Sequence, residues 1–518
     1  MENTASAKWK RKYKEKLLPE TYIELTYAVT EPGLQFDATA TATVEEEFSE
    51  AEKLVSLLSR SPEKYNTLEW NSWGLDGSFE YFDETPVDPG YVTSTFSETD
   101  SDFEAHPTIT LTFSKVHTEI IPGVTIAWSE VYNEWASRFR VTAYNGNTVV
   151  AEKTVEDNTD TVSVVWFDIQ NYNRITIEIL AWSHPEHRSR VLSVYMGIKN
   201  IFTKDDFLKY SHSQSVDLLS AALPKNEISF SLRNDDDRWN PHNPTGVERY
   251  LLERQEITVR YGLNVDGVKE WIDGGRFFLS SWSTPANGME ASFSARDSIE
   301  FMSEVYTGTT AGTLYDIAQA VFTQADLPIL ENGNVRYYID EDLKNYSTNF
   351  SSENKEYTLA EVLQLVAHMG GCVLYQQRDG VMYLGPRVGI TSDYVIDESI
   401  SYAHPEFEVS KPLKAVSCDY GEDGNVVVTV GVSGEVQTIS NEFVLTEKDA
   451  RRIANFTANM LKGRKTVSGE YRADPRLDVL DHVMVHSKYS QNNVVITDIT
   501  YSTSGGAMRG AYVARLVS

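Results

Sequence analysis

Between Glu227 and Met302 apolar and polar positions alternate with a period of two in four separate runs. Ile228, Phe230 and Leu232 alternate with Ser229 and Ser231, and Ile257 to Tyr261 repeats the pattern. Phe277 to Trp282 and Ala291 to Ala295 follow. Such alternation puts one face in a core and the other in solvent, so each run is predicted to be a strand. Asp266-Gly267 and Asp273-Gly274-Gly275 are tight-turn formers, and Asn240-Pro241 and Asn243-Pro244 impose an extended loop. The segment is expected to be an antiparallel β-domain, and no nucleophile, base and oxyanion donor are recognisable in it.

The same pattern predicts strands over Tyr22–Tyr27 and Ala38–Val44, followed by an acidic loop (Glu45–Glu50) and a short helix over Glu52–Ser59. Further on, short strands recur at regular spacing: Thr108–Phe113, Val124–Trp128, Phe139–Tyr144, Thr148–Val155, Val162–Ile169 and Arg174–Trp182, with Leu192–Gly197 closing. That spacing predicts a β-sandwich, with Trp128, Trp166 and Trp182 in its core. If the strands simply alternate in direction, the loops Ser129–Arg138, Glu156–Asp160 and Ser183–Arg190 share one end. From Thr309 the pattern becomes mixed. Leu314, Ile317, Ala318 and Val321 fall at helical spacing, as do Leu359, Val362, Leu363 and Val366. The second helix opens on a capping box, Thr358 with Glu361, and is stopped by Gly370-Gly371 before a hairpin at Arg378-Asp379-Gly380. Strands return from Ile400 around one helix, Ala450–Leu461.

Several of these pieces resemble the hub proteins at the tip or baseplate of phage tails, including siphophage tail-associated proteins without a peptidase domain. They are Glu-Ile-Ser-Phe-Ser-Leu-x-Asn from Glu227, Asp-x-x-Trp-Asn-Pro from Asp236, Ile-Thr-Val-x-Tyr-Gly-Leu from Ile257, Gly-Gly-x-Phe-x-Leu from Gly274, and Ala295-Arg296-Asp297. Leu-Asp-x-x-Asp-x-Val from Leu477 adds to the likeness. The resemblance implies a mainly β, multidomain chain with α+β parts. Hub domain I would comprise 1–66 and 200–305, interrupted by an inserted galactose-binding-like (jelly-roll) sandwich at 67–199. A small α/β domain at 306–395 and a second tube-like β-domain with one helix at 396–518 would complete it. It also implies a homotrimer in which two tube-like domains per chain imitate six-fold symmetry.

Charge fits that picture. A formal net charge of −30 argues against holding nucleic acid through its phosphates, but an acidic tube lets DNA pass without sticking. A basic run, Lys8 to Lys16, is expected to be a solvated arm or one lying across an acidic neighbour. No secretion signal and no membrane span are expected, so synthesis in the host cytoplasm and residence at the virion tail tip are. Only Cys372 and Cys418 occur, and both are expected to be buried hydrophobes. Asn234-Asp235-Asp236-Asp237 lacks the glycine and glutamate spacing of a helix–loop–helix calcium site and is expected to be an Asx turn.

Candidate ligand residues gather at the sandwich end: Tyr132, Trp135, His184, His187 and Arg188. Aromatic faces beside polar tips suit sugar rings. No catalytic residue, metal site or cofactor is expected. The function expected is that of a structural hub. It would cap the tail tube, close or gate the DNA channel, contact the tube and distal tail proteins, and anchor receptor-binding or fibre proteins. The alternative is a protein that binds or degrades cell-surface glycans.

Overall fold

The period-two runs are strands, and most of them join one sheet. The structure, a computed structural model, describes residues 5–15, 20–55, 62–72, 86–243, 246–284, 288–327, 335–349, 355–387, 391–503 and 508–516. The sheet has thirteen strands, here labelled along the chain. They are β1 (Thr21–Val29), β2 (Ile198–Thr203), β3 (Phe207–Ser215), β4 (Lys225–Arg233), β5 (Glu256–Val265), β6 (Val268–Ser283) and β7 (Glu290–Arg296). After a long interruption come β8 (Thr391–Ile396), β9 (Glu406–Val409), β10 (Lys465–Arg472), β11 (His482–His486), β12 (Gln491–Thr503) and β13 (Arg509–Leu516). The order across the sheet is β2-β1-β5-β6-β7-β4-β3-β12-β13-β10-β9, with β11 beside β12 and β8 beside β11. Alternation decides what is buried: Ile228 and Phe230 of β4, Tyr261 of β5 and Tyr501 of β12 all enter one core that both halves of the sheet share.

Asp266-Gly267 makes the expected two-residue hairpin turn, with both residues at positive φ (55° and 93°) and Val265 facing Val268, the geometry of a type I′ turn. Asp273-Gly274-Gly275 does not turn. It lies inside the continuous strand β6 at a register shift opposite Val259 and Arg260. A side chain on Gly274 would come within 2.7 Å of the Tyr261 ring, so the glycines are there for close approach rather than for reversal.

The sandwich is built from a five-stranded sheet (order Thr39–Ala42, Thr108–His117, Tyr172–Trp182, Ala136–Asn145, Thr148–Val155) against a three-stranded one (Ser193–Met196, Ile121–Ala127, Val162–Ile169). The strand Thr39–Ala42 therefore pairs within the sandwich and not with the hub sheet. Leu34, Ala51 and Leu54 share the sandwich core as well. Trp128 and Trp182 are buried there, whereas Trp166 is 45% exposed. It sits at the outward phase of an edge strand, beside exposed Val162 and Val164. In place of the expected helix over Glu52–Ser59 there is a single 3-10 turn, Ala51–Lys53, and the remainder from 56 lies outside the described residues.

The N-terminal basic run is a short helix, α1 (Ala7–Tyr13), not a free arm. Trp9 and Tyr13 bury themselves against Leu263, Val265 and Ile272 of the β5–β6 hairpin. Lys8, Lys10, Arg11 and Lys14 stay on its exposed side. Tyr13 also reaches the other half of the chain, donating to the Arg472 carbonyl at 2.7 Å. The helices α2 (Leu314–Ala325) and α3 (Leu359–Gly370) form where the 3.6-residue spacing places them, with the Thr358–Glu361 capping box in place and Gly371 at φ 67° closing α3. A further helix, α4 (Glu447–Leu461), and the three-stranded sheet Leu413–Tyr420, Gly424–Thr429 and Glu435–Ile439 pack into the same core as α2 and α3. Residues 413–461 thus belong by packing with the small α/β body, which they reach as an insertion between β9 and β10.

Candidate assembly edges and the end of the sandwich

The sheet contains the same unit twice. In the first half β4 is followed by the meander β5-β6-β7, and β4 pairs with β7. In the second half β10 is followed by β11-β12-β13, and β10 pairs with β13. Each unit carries one strand beyond its first strand, β3 on β4 and β9 on β10, both antiparallel; the strands beyond the second differ, β1 running antiparallel to β5 and β8 parallel to β11. The likeness extends to single residues. A bulge at Ser280 in β6, between Leu279 and Ser281, matches one at Thr497 in β12, between Ile496 and Asp498. Arg254 and Leu480, just before β5 and β11, both take positive φ (66° and 71°). Each donates its N–H to the equivalent carbonyl, Leu279 (2.7 Å) or Ile496 (2.8 Å). A bulge in the same place and a left-handed non-glycine residue in the same place are costly features that chance does not repeat.

The two units are joined strand to strand. β3 of the first pairs with β12 of the second, Tyr210 opposite Thr503 through Ser215 opposite Asp498. Behind the joint lies a buried polar network. His212 Nδ1 and Tyr210 Oη each lie 2.8 Å from Tyr261 Oη, and His212 Nε2 is 3.0 Å from Asn226 Oδ1. Burial holds the His212 imidazole down at about 4, so it is neutral there. Arg378, at the turn of the α/β hairpin, enters the same core. It donates to Asp478 Oδ2 (3.1 Å) and to the carbonyls of Asp273 (3.2 Å), Leu477 (2.5 Å) and Pro475, so it ties the first unit to the second.

The equivalent joint on the other side is open. β9 is the equivalent of β3, yet among the described residues it ends the sheet, and Phe407 and Val409 are 38% and 54% exposed. Its partner by equivalence is the far part of β6, because β6 corresponds to β12. Past Phe278, β6 outruns β5, which leaves that side of Ser281 to Ser283 without a strand partner among the described residues. The bulges set the register. Ser294 faces Ser281 as Val513 faces Asp498, and Ser229 and Ser468 face these two residues. Glu406 thus stands where Ser211 does, and Val409 where Gln214 does, opposite the counterpart of Ile499, which is Trp282.

At the sandwich end the three loops singled out from the sequence do meet. Trp128 N–H donates to Thr161 O (2.8 Å), Asn158 N–H to Ser137 O (2.9 Å) and Ser183 N–H to Trp135 O (2.9 Å). The five residues lie there, but most are packed. Residues 62–72 cross this end as a strap, and Tyr132 Oη donates to Tyr65 O of the strap at 2.9 Å. His187 is buried between Glu134 Oε1 (2.8 Å) and the Trp70 carbonyl (2.5 Å). Arg188 donates to Thr93 O at 2.7 Å and pairs with Glu46. Trp135 is half-buried and His184 exposed, its ring stacked on His187 with centroids 5.2 Å apart. The centre of the cluster is Arg190, which sequence reasoning did not single out. It is buried, bonded to Glu69 (2.5 Å) and Glu134 (3.2 Å), and 4.4 Å from the Tyr132 ring centroid. The strand Arg188–Val191 reads Arg-Ser-Arg-Val, so the alternation that buries Val191 on one face gives no local sign that Arg190 is buried too.

Neither cysteine is set up as a nucleophile. Burial pushes Cys372 up to about 12 and Cys418 to about 11, so both stay protonated. Among the described residues no three His, Cys, Asp or Glu side chains are grouped to hold a metal, and no helix is long and apolar enough to cross a membrane. The expected Asx turn is present at Asp236, whose Oδ1 accepts from Arg238 N–H at 3.3 Å, and Asn234 Oδ1 accepts from Trp239 N–H at 2.9 Å.

No protein-family model matches the chain, and no curated protein matches its sequence. Solved structures do resemble it. The 43 kDa tail protein of prophage MuSo2 from Shewanella oneidensis is 14% identical, with 61% of this chain and 94% of that one covered at a TM-score of 0.42. A tail protein from Neisseria meningitidis is 11% identical over 62% and 94%, also at 0.42. Others include a prophage tail protein from Listeria monocytogenes, a phage baseplate and a component of the type VI secretion system of E. coli, also at TM-scores below 0.5. A family 32 carbohydrate-binding module from C. perfringens, solved with galactose, is 16% identical and covers 34% of this chain and 99% of its own at a TM-score of 0.21. All these TM-scores lie below 0.5, so the functional reading rests on the geometry of the chain itself.

Proposed function

We infer that the chain is a structural component of a phage or prophage tail, a hub ring at the tail tip. The observation that supports this is the duplicated unit whose internal joint, β3 on β12, has an unfilled counterpart, β9 facing β6. Copies that fill it in turn make a closed ring of alternating first and second units, and three chains give six units around a channel. The tail-hub motifs from Glu227 to Asp297 and from Leu477 fall within these same units. Such a ring caps the tail tube, closes or passes its DNA channel, and carries receptor-binding or fibre proteins. An acidic wall repels the phosphates of passing DNA, and this role needs no catalytic residue.

A disulfide tests it. Ser213 Oγ and Thr500 Oγ1 lie 3.4 Å apart across the internal joint, and their counterparts in the open one are Glu408 and Ser283. The double variant Glu408→Cys with Ser283→Cys is expected to form intermolecular disulfides under mild oxidation, giving a ladder that ends at a closed trimer on non-reducing gels. Native Cys372 and Cys418 are buried and leave the readout clean. Reactive thiols that yield only monomer would remove the ring reading.

A second role, binding a host glycan at the sandwich end, is favoured by the surface that Trp135 and His184 retain near exposed Trp70. Binding to a glycan array that disappears in Trp135→Ala is the expected result. An array that stays blank with the wild-type chain counts against that role.

A further inference from the structure

The strap over the sandwich end hangs on a histidine with an unusual pair of neighbours. His187 Nδ1 faces the Glu134 carboxylate at 2.8 Å and Nε2 faces the Trp70 carbonyl at 2.5 Å. Neither partner can donate: a carbonyl never does, and Glu134 is held ionised. Burial pushes Glu134 up, but hydrogen bonds from His187 and Trp182 and the charge of Arg190 outweigh it, leaving its carboxyl below the usual range. Both imidazole nitrogens must therefore carry protons, which makes the ring an imidazolium. If the Nε2 proton leaves, a nitrogen lone pair faces a carbonyl lone pair at contact distance, and the attraction holding Trp70 becomes repulsion.

We propose that His187 is a proton-operated latch that holds residues 62–72 across the end of the sandwich when charged and releases them when neutral. The groups around the ring agree. Glu134 comes from the loop before Ala136–Asn145, Glu69 from the strap itself, Arg190 and Arg188 from the strand after it, and exposed His184 stacks on it. The two carboxylates favour the imidazolium and the two guanidiniums oppose it. Burial lowers the His187 pKa and the Glu134 bond raises it, with the balance above the ordinary histidine value. A folded-state value above the unfolded one means that this contribution is fully present below the unfolded pKa and is lost as pH rises through the folded pKa. The strap is thus held below the unfolded imidazole pKa and is released as pH rises through the higher folded one. Opening uncovers Arg190, Tyr132 and Glu134 together, a charged and aromatic face that the strap otherwise occupies with Glu69 and Tyr65. The latch is independent of whether the chain closes into a ring.

Hydrogen exchange on the full chain tests it. After correction for intrinsic rates, exchange in residues 62–72 is expected to accelerate as pH rises from 6 to 9, about tenfold for each pH unit beyond the His187 pKa. The sandwich core strand Tyr172–Trp182 should keep constant protection. In His187→Gln the strap should exchange fast at every pH, because an amide cannot donate to both acceptors from one ring position. The imidazole ¹³C shifts of the wild-type chain provide a check that needs no variant: His187 should be charged at pH 6 and titrate above 6.5. Strap protection that is flat from pH 6 to 9, or a His187 already neutral at pH 6, overturns the proposal.

Discussion

Arg378→Ala is expected to lower the unfolding free energy by about 3–5 kcal/mol, the cost of removing one partner from a buried ion pair and leaving the other charge behind. The size follows from where the guanidinium sits. It is buried, and it feeds four acceptors contributed by both units: Asp478 and the carbonyls of Asp273, Pro475 and Leu477. Without it Asp478 and Asp481 face each other in a dry core, where burial and the Asp478 charge already push Asp481 up. Arg378→Lys should recover little, because a single ammonium cannot match the planar fork that reaches these separate oxygens. Urea denaturation followed by tryptophan fluorescence measures the change. Adding Asp478→Asn to Arg378→Ala should restore part of the loss, since it removes the orphaned charge. A midpoint for Arg378→Ala within error of wild type would show that the two units do not depend on this tie.

Val409→Pro should have the opposite profile, leaving the monomer intact and weakening assembly. In the internal joint the even-numbered residues of β3 point their backbone groups at β12, as Val216 does in donating to Thr497 O at 2.9 Å. Gln214 is one of these, and Val409 is its counterpart. Residues 406, 408 and 410 point instead toward β10, as Ser410 does in donating to Arg464 O at 2.9 Å. Proline at 409 therefore removes a donor only from the open edge and also blocks close approach of a neighbouring strand. Loss of the bond and of the Val409–Trp282 contact should weaken association at least about tenfold, equivalent to 1.4 kcal/mol. Sedimentation of the variant and wild type at equal concentration decides it. A variant that still forms rings would mean that β9 is not the closing edge.

How much of this could be read from the chain depends on range. Local alternation was sufficient for β4 to β7, because each strand needs only its own period-two pattern to choose a face. The Asp266-Gly267 turn and the Thr358–Glu361 cap depend on two to four adjacent residues and were equally legible. The Gly274-Gly275 pair misled for the same reason, since local chemistry allows a turn, whereas the Tyr261 ring against Gly274 and the positive φ of Gly275 at the register shift explain why side chains are absent. Trp166 was placed in the core by its hydrophobicity, yet its phase in an edge strand puts it outside. The duplication left a faint written trace, Arg233-Asn234-Asp235 against Arg472-Ala473-Asp474, too short to stand out without the matched bulges.

The candidate sugar residues show the same boundary more sharply. Tyr132, Trp135, His184, His187 and Arg188 do come together, because strand alternation alone sorts loops to one end. What fills that end was decided by residues 62–72, which lie far along the chain and carry no periodic pattern. They bring Glu69 to Arg190 and the Trp70 carbonyl to His187, and so make the end where candidate sugar residues were expected a charged, covered cluster. By itself the sequence determined the strands, the helices, their caps and the acidic balance of the chain, all set by interactions between near neighbours. The pairing of β3 with β12, the unfilled edge of β9 and the burial of Arg378 were decided only by the tertiary structure, because each depends on backbone groups and charges that lie far apart along the chain until it folds, 287 residues for Ser213 and Thr500 and 100 for Arg378 and Asp478.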